Sequence, residues 1–413
     1  MDTIAEDARF EADRLPVDID AQPVVQAARE LQPELRRYKD EVERDQRLPP
    51  TLVAQMKEAG FYRMVLPRSL GGLQADPLTY TRVVEVLAEG VGSIGWNIAN
   101  NGIGSLVTLG LPEAGVQEIY GHGGHTVMAG TAVPGGGEAK RVEGGYRITG
   151  RWQFGSGCQE SNWMLGSFQV IGDDGKPVPH PDGGSLYWRG VFERAEAEIV
   201  PGSWDVAGLR GTGSFDWTVK DVFLPERRTM PQIGIPLENQ WARWPGTTYA
   251  LPVQCWVGPH HSAVITGIAS AGIKALIELA GGKQPRGRPV GLLCDNPQVQ
   301  DAIGRADAIL NAGRAYRSAM IAELWNITAS GKETTLEQRA RCRLASTYAA
   351  DCAREAMDLV YRWGGSTSFK RESRLAECWR DLHVVGQTVT ISPEWYPIGG
   401  RVYLGLDPGS RLR

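Results

Sequence analysis

Apolar and polar positions follow three successive rhythms along the 413-residue chain. From Val24 to about Glu118 the spacing is helical. VVQAARELQPELRRYKDEVERD wraps charged residues around a recurring apolar face, and LPPTLVAQMKEAGFY opens on prolines where a first helical turn accepts them. Gly60 and Pro67 close that second helix, Leu78 to Leu87 resumes the spacing up to Gly90, and another apolar run starts at Ser93. From Gly121 to about Arg228 the rhythm shortens to β-branched and aromatic runs: TVMAGTAV, YRITGRWQF, NWMLGSFQVI, SLYWRGVF and SFDWTVKDVFL. Turn signals such as GDDG and PDGG separate them, which predicts a compact antiparallel sheet or barrel. Beyond Pro245 long helices return, beginning with HSAVITGIASAGIKALIELAG, whose small residues on several faces suit a helix packed on all sides. Two more follow: the first is capped by Asp295 or Asn296 with Pro297 just inside, and the second is stopped by Gly364 and Gly365. The pattern predicts a mainly α chain with a central β domain: a helical domain over 22–120, a β domain over 121–235, a helical bundle over 236–395 and a tail over 396–413.

Composition narrows the chemistry. With 44 basic against 48 acidic residues and no basic run, nothing marks a nucleic-acid or anionic-membrane surface. No stretch reaches the ~18 uninterrupted apolar residues of a membrane span, because Lys274 interrupts the closest one. Six cysteines without a CxxC pair, and six histidines without ligand spacing, predict no metal site; His122 and His125 read as a solvent-exposed turn. The acidic MDTIAEDARFEADRLP lacks the build of a secretory signal, so the expectation is a cytoplasmic protein with reduced thiols. AVPGGGEAK lacks the GK[ST] of a phosphate-binding loop. Gly208, Gly211 and Gly213 imitate part of a dinucleotide fingerprint but run into an alternating strand rather than a helix. No nicotinamide site is legible.

Three segments carry a resemblance. GFYRMVLPRSLGG (60–72), AGLRGTGSFDWTVKDVFLPE (207–226) and VYRWGGSTSFKRESRLAECWRD (360–381) are similar, in that order, to segments of the acyl-CoA dehydrogenase superfamily. The resemblance implies its fold: an N-terminal helical domain, a middle antiparallel β-barrel and a C-terminal four-helix bundle that also builds a homotetramer. GYRITGRWQFGSGCQESNW (145–163) is closer to the two-component flavin-dependent monooxygenases of this fold, such as the oxygenase component of p-hydroxyphenylacetate hydroxylase.

That likeness implies hydroxylation of a small aromatic or heteroaromatic compound with O2 through a C4a-hydroperoxyflavin. Reduced FAD or FMN would diffuse in from a separate NAD(P)H:flavin reductase. It implies Ser156 as the catalytic residue at flavin N5, and Trp152 and Phe154 as walls of the ring. Thr131, Arg286, Arg288, Trp363, Gly364, Gly365 and Ser366 become further cofactor contacts, and Trp96, Asn100, Asn101 and His383 border the substrate. Asn100 and Asn101 stand where phenol hydroxylases of this group carry a His; capping of a helix end before Gly102 is the other reading of the pair. Tyr361 replaces a Gln that many dehydrogenases place near the FAD tail, leaving FAD and FMN both open.

Two alternatives follow from the same superfamily. An acyl-CoA dehydrogenase needs a carboxylate base to take the α-proton of a thioester, and the usual position of that base, eight residues after Asp381, is Val389. Glu394, between prolines, is the nearest carboxylate and reads as a loop residue; whether it or His383 acts as a base stays open. The second alternative is a non-catalytic relative that binds flavin or another ligand.

Overall fold

The structure, a computed structural model, describes residues 14–123, 125–131, 133–179, 187–232, 243–252, 254–285, 291–409 and 412. Among the described residues, five α-helices come first: α1 (Pro23–Asp45), α2 (Pro50–Glu58), α3 (Pro77–Gly90), α4 (Gly92–Thr108) and α5 (Glu113–Tyr120). Local chemistry sets their ends. The Asp76 carboxylate accepts from the amides of Leu78 and Thr79, both at 2.9 Å, and Pro77 occupies the first turn of α3, where no amide is needed. Asn100 and Asn101 lie well inside α4, not at its end, so the capping reading of that pair is withdrawn.

The β domain holds β1 (Met128–Gly130), β2 (Gly136–Val142), β3 (Gly145–Gly155), β4 (Trp163–Val170), β5 (Trp188–Glu193), β6 (Glu198–Ile199), β7 (Phe215–Pro225) and β8 (Thr229–Pro231). They form one sheet in the order β6-β7-β3-β2-β4-β5-β8, with β1 paired to β4. Two pairings, β1 with β4 and β2 with β4, are parallel, where the alternating pattern suggested antiparallel pairing throughout. The cause is a crossover. β2 and β3 form a hairpin, and residues 156–162 then carry the chain past the end of β2 so that β4 enters on its other side. Ser156 opens that crossover.

The bundle contains α6 (Pro259–Gly282), α7 (Pro297–Ala329), α8 (Leu336–Gly364) and α9 (Arg374–Val385). Asn296 caps α7 through the Gln298 amide at 3.1 Å, and Gly365, with φ +58°, ends α8 where a side chain would strain the backbone. α6 is long and apolar enough to cross a membrane, yet most of it is buried among its neighbours. Residues 396–403, expected as a tail, belong to a helix α10 (Trp395–Tyr403) that packs on α8; Trp395 and Ala340 share a small core with Leu412.

One apolar core runs through both helical domains, and a second fills the β domain. The helical domains are also tied by a buried ion pair, Glu85 of α3 with Arg317 of α7 at 2.6 Å, which Arg314 joins. Together these hold α4 against the crossover.

Candidate active site

The turn between β3 and β4 is built from an unusual backbone. Phe154 has φ +63°, a left-handed conformation that costs a bulky side chain about 1 kcal/mol, and its ring is 59% exposed. The Ser156 amide donates to the Phe154 carbonyl at 2.8 Å, and the Gly157 amide donates to the Thr212 carbonyl at 2.9 Å. Gly157, at φ +71°, lets the chain turn against Asn97; a Cβ there would meet the Asn97 amide at 3.5 Å. The result aims the Ser156 hydroxyl at α4. Strain of this kind concentrates where a side chain must be presented to a ligand.

Ser156 Oγ accepts from the Trp96 indole N–H at 3.0 Å and lies 2.7 Å from Ser214 Oγ. The Trp96 ring stacks on His261, centroids 4.7 Å apart and planes 22° from parallel. His261 Nδ1 is 2.7 Å from the Thr390 hydroxyl. Five segments of the chain thus converge: the β3–β4 crossover, α4, the residues leading into β7, the N-terminus of α6 and the turn after α9.

Burial, then the neighbouring His260 and Arg343, holds the His261 imidazole well below its ordinary pKa, so it is neutral. His260 is pushed down to about 3, chiefly by burial, and its Nδ1 bonds to the Trp256 carbonyl. The Nε2 atoms of both rings are buried without a hydrogen-bond partner, as are Asn97 Oδ1 and Asn101 Oδ1. Orphaned polar atoms gathered around one aromatic stack mark a place where polar partners are missing. The residues fit a flavin and an aromatic substrate: an exposed ring at Phe154, a hydroxyl at Ser156 and neutral groups around them.

The predicted residues do not all gather here. Ser156, Phe154 and Trp96 do. Asn101 reaches the β domain through its amide, which donates to the Met128 carbonyl at 3.3 Å, whereas Asn100 turns its amide back to the Trp96 carbonyl at 2.9 Å. Thr131 follows β1; its amide donates to the Leu165 carbonyl at 2.8 Å and its hydroxyl accepts from Val133 at 3.1 Å.

Trp152 requires correction as a wall of the ring. It is 2% exposed, stacks on Trp217 with centroids 4.2 Å apart and donates to the Ser167 carbonyl at 2.7 Å. Alternation along β3 places it in the sheet core, with no face left for a ligand.

His383 also requires correction. At 100° per residue it lies on the opposite side of α9 from Asp381. There it packs on Trp379, centroids 4.3 Å apart, and its Nε2 is 3.7 Å from Asp358 of α8. Asp381 is the member of that helix that reaches the site's support: it accepts from the Leu209 amide at 2.7 Å.

Trp363, Gly364, Gly365 and Ser366 form the end of α8, where Lys283 Nζ donates to the Gly364 carbonyl at 2.7 Å and the Thr367 hydroxyl at 2.9 Å. Arg286 and Arg288 lie outside the described residues. Glu394 is exposed at the start of α10.

Val389, where a dehydrogenase base is expected, is 54% exposed, and its neighbour Thr390 meets His261. That segment therefore borders the site with hydroxyls instead of a carboxylate. His261, Asn97, Ser214 and Thr212 are the site residues that sequence reasoning did not assign; His261 had a signal, two histidines at the mouth of an otherwise apolar helix.

Comparison with known proteins agrees with this geometry. The acyl-CoA dehydrogenase N-terminal domain matches residues 21–114, and the acyl-CoA dehydrogenase C-terminal domain matches residues 260–393. The chain is 31% identical to an indole-3-acetate monooxygenase of Pseudomonas putida over 89% of this chain and 90% of that one. It is likewise 31% identical to the flavin-dependent monooxygenase oxygenase subunit HsaA of Mycobacterium tuberculosis, over 95% of this chain and 98% of that one. The crystal structure of 3-HSA hydroxylase from Rhodococcus sp. RHA1 superposes with a TM-score of 0.84 at 27% identity, covering 94% of this chain and 98% of the other. The chain belongs to the acyl-CoA dehydrogenase fold family and, within it, to the oxygenase subunits of flavin-dependent monooxygenases.

Proposed function

We propose that this chain hydroxylates a small aromatic or heteroaromatic compound, taking reduced FMN or FAD from a separate NAD(P)H-dependent reductase and O2 from solution. The observation that carries the substrate class is the Trp96–His261 stack, ringed by neutral Asn97, Asn101 and Thr390 and reached by no carboxylate among the described residues. Such surroundings suit a flat neutral ring, whose N–H or O–H their unpaired polar atoms would orient.

When bound, the reduced flavin supplies the electrons that activate O2. The protein supplies the rest. Ser156 holds the cofactor edge by accepting a hydrogen bond there, Phe154 offers its exposed ring to the flavin face, and the Trp96–His261 stack keeps water from the reacting edge. His261, kept neutral by burial, offers the substrate a ring face and an unpartnered ring nitrogen that position it.

Assembly as a homotetramer is part of the same reading. Tyr348 of α8, with Tyr396, Tyr403, Leu404 and Leu406 in and after α10, leaves an apolar surface exposed on the bundle, which a second copy of the chain would cover. A cytoplasmic setting is supported by six free cysteines, five of them buried.

The test is rapid mixing of the protein loaded with reduced FMN against oxygenated buffer containing indole-3-acetate, indole or resorcinol. Oxygenated product in proportion to flavin oxidised is expected. Bleaching of bound oxidised flavin by an acyl-CoA thioester at a catalytic rate would instead make the chain a dehydrogenase.

A further inference from the structure

Behind Ser156 lies a line of hydroxyl groups whose hydrogen-bond direction is fixed from its far end. Thr212 Oγ1 is 2.8 Å from the Leu209 carbonyl oxygen. A carbonyl has no proton to give, so the Thr212 hydroxyl donates its only one there. Ser214 Oγ is 2.7 Å from Thr212 Oγ1 and must therefore be the donor of that pair. Its own proton is then spent, so across the 2.7 Å to Ser156 Oγ it is Ser156 that donates. With that proton committed, Ser156 has only lone pairs left. One accepts from the Trp96 N–H at 3.0 Å, and the other is the single polar function the hydroxyl retains for a ligand.

The line is anchored at its origin. Leu209 is held in a left-handed conformation, φ +53°, and its amide donates to the Asp381 carboxyl at 2.7 Å. Its carbonyl is further fixed by the Thr212 amide at 3.1 Å and the Trp204 indole at 3.3 Å. The three hydroxyl residues are all buried, so no bulk water competes to reverse the order.

We infer that Thr212 and Ser214 are positioning residues that make Ser156 an acceptor only, so that the site selects flavin carrying a proton on N5 over oxidised flavin. Reduced flavin presents N5–H, a donor, which meets the free lone pair. Oxidised flavin presents a bare N5 lone pair, and two acceptors face each other with no proton between them. The inference rests on Ser156 lying at N5 and adds to it the reason a diffusible cofactor is taken up in one redox state and given back in the other.

Removing the origin of the line reverses it. In Thr212→Val, Ser214 loses its acceptor and turns its proton to Ser156, which frees the Ser156 proton for the ligand. The Leu209 carbonyl keeps its two other donors, so the turn has reason to persist. Ser214→Ala frees the same proton by a different route, and Thr212→Ser restores the order.

The experiment is anaerobic titration of each variant with oxidised and with dithionite-reduced FMN, together with the midpoint potential of the bound flavin. The wild-type preference for reduced FMN should fall at least about tenfold in Thr212→Val and in Ser214→Ala. That ratio corresponds to a drop of about 30 mV in the two-electron potential. Thr212→Ser should behave as wild type. A preference unchanged in both variants overturns the inference. Ser156→Ala separates the two levels: if it alters the preference while the other variants do not, the relay fails and Ser156 stays at N5. If it alters neither affinity nor potential, the placement of Ser156 fails as well.

Discussion

The indole of Trp96 donates to the hydroxyl of Ser156 across the boundary between the helical domain and the sheet, 3.0 Å from nitrogen to oxygen. One bond therefore couples the group proposed to meet the cofactor to the ring proposed to form the substrate side, since the same indole stacks on His261. A Trp is needed for both duties: its face stacks while its edge donates.

Trp96→Phe separates these duties. The ring still stacks, but Ser156 loses its donor and the net cost to stability is about 1 kcal/mol. The released hydroxyl is held only by Ser214, so its position at the cofactor edge loosens. The expected outcome is a larger share of hydrogen peroxide released per flavin oxidised, measured by peroxide assay beside product yield. Wild-type coupling in this variant would show that the indole N–H has no part in holding the cofactor edge.

Phe154 and Trp152, both on β3, should respond in opposite ways because the register shift between Trp152 and Gly155, with the left-handed Phe154 inside it, turns the phenyl ring outward while Trp152 stays in the sheet core. Phe154→Gly relieves the left-handed backbone and should stabilise the fold by about 1 kcal/mol while weakening FMN binding. Trp152→Phe leaves the Ser167 carbonyl without its indole donor and opens space beside Trp217, costing about 1–3 kcal/mol. Its FMN affinity and coupling should stay at wild type. Denaturant unfolding and FMN titration of both variants check the pair; loss of FMN affinity in Trp152→Phe would return that indole to the site.

The reach of the sequence differs between these levels. Helix periodicity and caps made the α, β, α order legible, because Asn296 and Gly365 act within a turn of their own position. Ser156 was singled out through its local wording, and the structure places its hydroxyl against Trp96 and Ser214. Trp152 was misjudged because the period of two it shares with Tyr146 and Ile148 turns it inward, and the register shift that frees Phe154 from that period comes only after it. His383 was misjudged because its neighbour Asp381 occupies the other side of the helix. Ser214 meets Ser156, and Thr212 and His261 reach it through Ser214 and Trp96, only by the crossing of distant segments, which no spacing along the chain records.

Asp381 gives a pH dependence with a definite sign. Burial, reinforced by the neighbouring Glu377, raises its carboxyl from 3.8 to about 7. Between those values the folded state binds the extra proton, so this contribution to stability is complete below about pH 4 and is lost as pH rises through about 7. The buried histidines act oppositely: with pKa values lowered from 6.5, they contribute above that pH and lose stability as pH falls. Comparing Asp381→Asn with wild type cancels the histidines. The substituted side chain still offers Leu209 an oxygen but does not titrate, so the difference should move in its favour by up to about 1.4 kcal/mol per pH unit from pH 4 to 7. A difference independent of pH in urea unfolding would mean that Asp381 ionises in the fold as it does in water.

His261→Phe tests the substrate side alone. A phenyl ring keeps the stack on Trp96 and fills most of the same volume, but it removes the bond to Thr390 and the unpartnered Nε2. If Nε2 accepts a hydrogen bond from the substrate, its loss should raise the KM for that substrate roughly tenfold, the scale of one buried hydrogen bond. FMN affinity should hold, because His261 touches the cofactor's partner through a ring face that phenylalanine preserves. The wild-type pH profile supplies an independent check: a ring kept neutral by burial gives kcat/KM no inflection of its own near pH 6.5. A KM unchanged by the substitution, or a fall in FMN affinity that matches the rise in KM, would remove His261 from substrate recognition and leave it a packing residue under Trp96.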